Sequence, residues 1–260
     1  LNTFFFAAMN FDDDHQLAMQ IAADAGRLLV ALKGNSILAN RMLGDVADAV
    51  AQQFIERSLR CHRPADAILS EEAPPDLRRL GCRRVWIVDP LDGTREYSEP
   101  GDRTDWAVHV ALCTDGMPTA GAVALPAQGI TYHTGNATRP VIGMEKALRI
   151  VVSRTRPTAF AARVAASIGA ELITMGSAGA KAMAVVRGDA DAYLATGEMA
   201  EWDSAAPVAV STAAGLHVSR IDGTPLAFNQ AVPRTPDLLI CRPDLAAMLL
   251  AAITTARGQP

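Results

Sequence analysis

A change of hydrophobic period along the chain limits the folds open to it. From Asp14 onward, Leu17, Ala18, Ile21, Ala25, Leu28, Leu29 and Leu32 recur at helical spacing, behind a cluster of aspartates and ahead of Gly34, which predicts an amphipathic helix. A second helical pattern over 48–60 uses Val50, Phe54, Ile55 and Leu59. The period then shortens, and strands are expected at 67–69, 85–88, 106–112, 120–125 and 130–133. The stretch 135–146, rich in Gly, Asn and Pro, breaks the pattern. Beyond it, strands at 148–152, 191–194, 216–219 and 238–241 alternate with helices at 157–168, 178–187, 204–214 and 245–256. The expectation is an α+β chain whose second half is α/β, in two layered subdomains spanning 9–140 and 141–260.

With 260 residues, half of them hydrophobic, the chain can bury a substantial core. A net charge of −4 gives no general polyanion-binding surface, so no nucleic-acid partner is expected and an anionic substrate must be met by local charges or metal. Cys61, Cys82, Cys113 and Cys241 are far apart, without zinc-ligand or disulfide-scaffold spacing, which points to a reducing cytoplasm. The apolar run Phe4-Phe5-Phe6 lacks a basic residue before it and is soon followed by Asp12-Asp13-Asp14. It is neither a secretory signal nor long enough to span a bilayer, so no membrane partner is expected. Residues 1–8, just ahead of Met9, read as an upstream extension.

The chemistry gathers at carboxylates. Val85 to Val88 is an apolar strand that runs into Asp89-Pro90-Leu91-Asp92-Gly93-Thr94. Alone, this is also the composition of an ordinary turn, since Asp and Pro start turns and Asp-Gly is a common hairpin signal. Glu71-Glu72 closes the preceding strand, and Glu201-Trp202-Asp203 opens a late helix, where Asp203 alone could be a helix cap. With Asp48, placed at the head of the second helix, these acids form a set of hard oxygen ligands at element ends, where sites are built.

The strand followed by Asp-Pro-Leu-Asp-Gly-Thr, the downstream Trp202-Asp203-Ser204-Ala205-Ala206, the pair Glu71-Glu72 and Asp48, 23 positions before Glu71, resemble the inositol-monophosphatase superfamily. The resemblance covers residues 17–250 and implies a layered α-β-α-β-α sandwich of the inositol-monophosphatase and sugar-phosphatase type. It also implies a Mg²⁺-dependent phosphatase with two or three ions per active site, sensitive to Li⁺. Carried over residue by residue, Glu71, Asp89 and the Leu91 carbonyl correspond to the ligands of one Mg²⁺, and Asp89, Asp92 and Asp203 to those of a second. The Gly93 and Thr94 amides would receive the phosphate at a helix N-terminus. Asp48 with the Thr94 hydroxyl would orient the attacking water. Relatives commonly carry Val-Thr-x-x-Asp where this chain has Val46-Ala47-Asp48, so Asp45 stands as the alternative to Asp48.

After the Asp-Gly-Thr, Arg95-Glu96-Tyr97 is similar to the run found in CysQ-type members, as is Glu201 directly before Trp202. The implied substrate is 3′-phosphoadenosine 5′-phosphate (PAP), whose second phosphate needs its own donors. Ser153-Arg154 at a strand end and the helix start Gly176 to Lys181 supply candidates, although Arg and Lys most often sit on solvated surface. The substrate-binding candidates are therefore Gly93, Thr94, Ser153, Arg154, Lys181 and Glu201. The same metal core would serve inositol monophosphate or fructose 1,6-bisphosphate. A non-catalytic phosphate-binding homologue is disfavoured because no core ligand is missing. A homodimer is the assembly most common in the superfamily.

Overall fold

The computed structural model describes residues 13–74, 76–138 and 147–258. The extension expected at residues 1–8 and most of the 135–146 break lie outside them. Two long helices open the described chain, α1 (Asp14–Asn35) and α2 (Asn40–His62). The Asp13 carboxylate caps α1 by accepting from the His15 amide. No side chain caps α2, whose N-cap is Ala39, so its first eight residues carry no start signal and α2 begins well before the expected residue 48. Asp48 consequently lies more than two turns inside α2 and not at its head.

The first sheet follows, built from β1 (Ala67–Ser70), β2 (Arg84–Asp92), β3 (Ala107–Thr114), β4 (Met117–Leu125) and β5 (Ile130–His133), with the short helix α3 (Thr94–Ser98) after β2. Among the described residues these strands pair in sequence order, β1 with β2 parallel and the others antiparallel. The second half contributes β6 (Arg149–Ser153), α4 (Ala159–Ser167), β7 (Glu171–Met175), α5 (Ala178–Val186) and β8 (Ala192–Ala195). It continues with β9 (Met199–Ala200), α6 (Glu201–Ala213), β10 (His217–Ser219), β11 (Arg234–Thr235), β12 (Leu238–Cys241) and α7 (Ala246–Arg257). Its sheet has the order β10-β12-β8-β6-β7, parallel on the β8-β6-β7 side and antiparallel on the other.

Strand alternation sets the layers. Trp86, Val88, Val108, Val110 and Leu112 face Leu17, Ile21, Leu29, Ala47 and Ile55 of α1 and α2. Val85, Ile87, Ala111 and Val123 point the other way, onto Met183 of α5 and Ala205, Ala206 and Val210 of α6. That middle layer also covers Val151, Tyr193, Leu238 and Ile240 of the second sheet. Ile150, Leu194 and Leu239 line the far face, under α4 and α7. The result is the expected α-β-α-β-α sandwich. Each large apolar side chain buried this way contributes roughly 1.5–3 kcal/mol.

Candidate active site

The site forms where the C-terminal end of β2 meets the N-terminal ends of α5 and α6. In an unbroken strand, Asp89 and Asp92, three residues apart, would point to opposite faces. Here Asp89 pairs with His109 but Asp92 pairs with Ala107, so the chain fits one residue more than its partner through Pro90-Leu91. This bulge turns both carboxylates to one side. The Leu91 amide donates to Asp89 Oδ1 at 3.0 Å, and Gly93, at φ +90°, makes the left-handed turn into α3.

Glu71, Asp89, Leu91, Asp92, Gly93, Thr94 and Asp203, brought from β1, β2, α3 and α6, line one cleft of about 660 Å³ together with Ser153 and Lys181. Asp48 stands behind them, 6 % exposed, with Oδ2 3.2 Å from the Thr94 hydroxyl, which is also 3.0 Å from the Leu91 carbonyl oxygen. Asp45 lies on the exposed side of α2, 3.7 Å from Arg41, so α2 brings Asp48 and not Asp45 to Thr94.

Crowded acids raise one another's pKa. Burial and the charges of Glu72 and Glu71 push Asp48 up to about 8. Glu71, at the solvent-facing rim, is pushed up to about 7 by partial burial and by Asp203 and Asp92. Burial and Asp92 take Asp203 up to about 6. Asp89, 1 % exposed, is raised well above the carboxylate range by burial and by Glu71. Asp92 alone goes down, to about 2: burial opposes its charge, but His109, Lys181 and Ser177 outweigh it.

An all-oxygen donor set with this much mutual repulsion suits a hard divalent cation. The Oδ1 atom of Asp48 is buried without a hydrogen-bond partner, as expected of an oxygen that awaits a water or ion. Among the described residues no three of these groups converge on one point as they stand, and Glu71 and Asp89 are instead hydrogen-bonded to each other. A cation held between the carboxylates would draw them together.

Two expected substrate contacts are differently engaged. The Arg154 guanidinium donates to Glu96 at 2.6 Å and Glu99 at 2.9 Å, around α3, and does not line the cleft. Arg156, two residues on, does, with no salt bridge among the described residues. Glu201 is fully buried, accepts from the amides of Asn229 at 2.7 Å and Gln230 at 2.8 Å, which anchors the start of α6, and does not line the cleft.

The helix start at 176–181 is also filled from within. Gly176 N donates to Asp105 Oδ2 at 2.6 Å, and Gly179 N donates to Asp92 Oδ2 at 2.8 Å. The Ser177 hydroxyl donates to that same Asp92 oxygen at 2.5 Å. Lys181 donates to the carbonyls of Gly176 and Ser177. His109, fully buried, has Nε2 3.2 Å from Asp92 Oδ2 and Nδ1 3.0 Å from the Trp202 carbonyl, to which it donates. His109 was legible only as a polar residue inside an apolar strand, and Ser177 as a helix cap.

A 3′-phosphoadenosine 5′-phosphate phosphatase of Mycobacterium bovis is 50 % identical over 242 residues, covering 90 % of each chain. One of Mycobacterium leprae is 48 % identical over 253 residues, covering 92 % of this chain and 93 % of its own. CysQ from Bacteroides thetaiotaomicron, a solved structure 23 % identical, superposes with a TM-score of 0.75 over 93 % of this chain and 99 % of its own, which shows the common fold. The sequence pattern of the inositol monophosphatase family matches residues 16–257, nearly everything from the first helix to the last, and the chain belongs to that family.

Proposed function

We propose that this chain removes the 3′-phosphate of 3′-phosphoadenosine 5′-phosphate by Mg²⁺-dependent attack of water, giving AMP. The observation that carries this reading is the continuity of the cleft from the carboxylates past Ser153, Thr155 and Arg156 to Thr158 and Thr196. One end suits phosphate hydrolysis, and the other offers a cation and hydroxyls to the rest of a nucleotide. The 50 % identity to a protein named for this activity supports the same substrate. The sulfated analogue of PAP, and with it a place in sulfate assimilation in a reducing cytoplasm, belongs to the same proposal.

Members of the family use divalent metals. Glu71, Asp89 and the Leu91 carbonyl are proposed to hold one Mg²⁺, and Asp89, Asp92 and Asp203 a second. Bound there, Mg²⁺ would neutralise the phosphate dianion and acidify a bound water. Asp48, with the Thr94 hydroxyl, would orient the attacking water and take its proton. The Gly93 and Thr94 amides hold the scissile phosphate in line, and no covalent phosphoenzyme is required. Arg156, and not Arg154, meets the second phosphate.

Steady-state kinetics with Mg²⁺ on PAP, inositol 1-phosphate and fructose 1,6-bisphosphate test the proposal. A charge-assisted contact to the second phosphate should favour PAP over inositol 1-phosphate at least about tenfold in kcat/KM. Equal efficiency on the two would favour a broad monophosphatase. Phosphate release undiminished by chelator would sink the metal reading.

A further inference from the structure

We infer that Lys181 is a positioning residue for the metal site, clamping a strained turn that fixes one oxygen of Asp92 so that the other is presented to the cation. The inference rests on the Mg²⁺ reading above. Every hydrogen bond that Asp92 receives among the described residues falls on Oδ2, from the Ser177 hydroxyl and the Gly179 amide, and His109 Nε2 lies 3.2 Å from the same oxygen. Both donors belong to the turn into α5. Ser177, which also caps α5 by accepting from the Ala180 amide, stands at φ +43° and ψ 133°. A residue with a Cβ enters that region only when its surroundings hold it there.

Lys181 is the holding group. It is 5 % exposed, and its ammonium donates to the Gly176 carbonyl at 3.1 Å and the Ser177 carbonyl at 2.6 Å. Those two carbonyls belong to the peptide units on either side of the Ser177 Cα, so pinning both fixes φ and ψ of Ser177. Two of the three ammonium donors are spent this way, and the group lies 5.3 Å from the centre of the Tyr193 ring. A lysine serving the substrate phosphate would direct its donors into the cleft. The absence of a Cβ at Gly179, which would strike His109 Nε2, lets its amide approach Asp92.

Calorimetric titration of the full chain with Mg²⁺, without substrate, tests this on Lys181→Met, Ser177→Gly and the double variant. Lys181→Met should weaken Mg²⁺ binding by about 10–100-fold, the usual effect of removing a group that orients a metal ligand. Its KM for PAP at saturating Mg²⁺ should stay within about twofold, because no substrate contact is lost. Glycine tolerates positive φ, so once Ser177→Gly has removed both the strain and the hydroxyl, adding Lys181→Met should cost less than about threefold more. Thermal melts in chelator establish that each variant is folded. If Lys181→Met does not fold, Lys181→Ala, which also removes the donors to both carbonyls, carries the same comparison. Unchanged Mg²⁺ binding with a raised KM would overturn the inference and return Lys181 to the substrate. Equal losses with and without Ser177→Gly would also overturn it, since the lysine would then act by charge alone. A wild type that takes up no Mg²⁺ would sink the metal reading and this inference with it.

Discussion

Asp89 and Asp92 lie three residues apart, both against the protein interior, and yet titrate in opposite directions. Asp92 is held near 2 by donors and cations that outweigh its burial, whereas burial, together with acid neighbours, raises Asp89, Asp203 and Asp48. An acid with a folded pKa above its unfolded value adds stability that is complete below the unfolded pKa and lost as pH rises through the folded one. For Asp203 and Asp48 that window runs from their ordinary 3.8 up to about 6 and about 8. Metal-free protein should therefore melt at a higher temperature at pH 6 than at pH 8, and Asp89→Asn should reduce the difference. Mg²⁺ needs the deprotonated carboxylates, so it should raise the melting temperature more at pH 8. Scanning calorimetry in chelator and in Mg²⁺ checks both signs, and a melting temperature that rises with pH in chelator would refute the account. Side chains also separate Arg154 from Arg156. Arg156→Ala should cost PAP about 1.5–3 kcal/mol, roughly 10–150-fold in kcat/KM, and inositol 1-phosphate less than about threefold. Arg154→Ala should slow both substrates alike, because it frees Glu96 and Glu99 around α3. Parallel losses for Arg156→Ala would remove it from the substrate. Spacing could not choose between the two arginines: they sit at the exit of β6, and the turn decides which one faces the cleft.

At the scale of elements, the acids were legible and, except for Asp48, so were the ends they occupy, but not how those ends meet. Asp89 and Asp92 on one face require the Pro90-Leu91 bulge, an irregularity that period counting does not register. The helix start at 176–181 read as donors for a phosphate, since free amides at a helix N-terminus attract anions. Its anions are Asp92 and Asp105, supplied by the other half of the chain, and only the tertiary structure brings them there. The edge strand β7, partly exposed along its length, lacks the apolar alternation that marked its neighbours. The contact between α5 and β3 is tight enough to test. A Cβ on Gly179 would meet His109, Val123 Cγ1 at 2.9 Å and Ala107 Cβ at 3.0 Å, all within the core. Gly179→Ala should therefore lift α5 from β3, destabilise the protein by about 1–3 kcal/mol through overpacking and reduce Mg²⁺ affinity as the amide leaves Asp92. Urea denaturation and Mg²⁺ titration measure the two effects. Loss of stability with Mg²⁺ binding intact would separate α5 from the site.

Across the whole molecule, the periodicity change identified two sheets and the helices between them, but it could not show that α5 and α6 are shared. Residues of a single buried cluster come from both sides: Val85, Ile87, Ala111 and Val123 from the first sheet, Met183, Ala206 and Val210 from the middle helices, and Val151, Leu238 and Ile240 from the second. We propose that the boundary near 140 separates two sheets and not two folding units. Among the described residues the inner face of the first sheet is covered mainly by α5 and α6, helices encoded after that boundary, and the same helices bury one face of the second sheet. Removing either half would expose a continuous apolar surface, which isolated sheets do not tolerate. The site obeys the same logic, because Asp203 on α6 and the α5 turn that holds Asp92 both come from the second half. Unfolding in chelator should thus be a single transition, with calorimetric and van't Hoff enthalpies in agreement, and loss of Mg²⁺ binding should follow the same curve. A fragment ending at residue 138 should show no cooperative transition of its own. Two resolved transitions, or a fragment that melts cooperatively, would mean that each sheet is stable without the middle layer and that the metal site closes only after folding is complete.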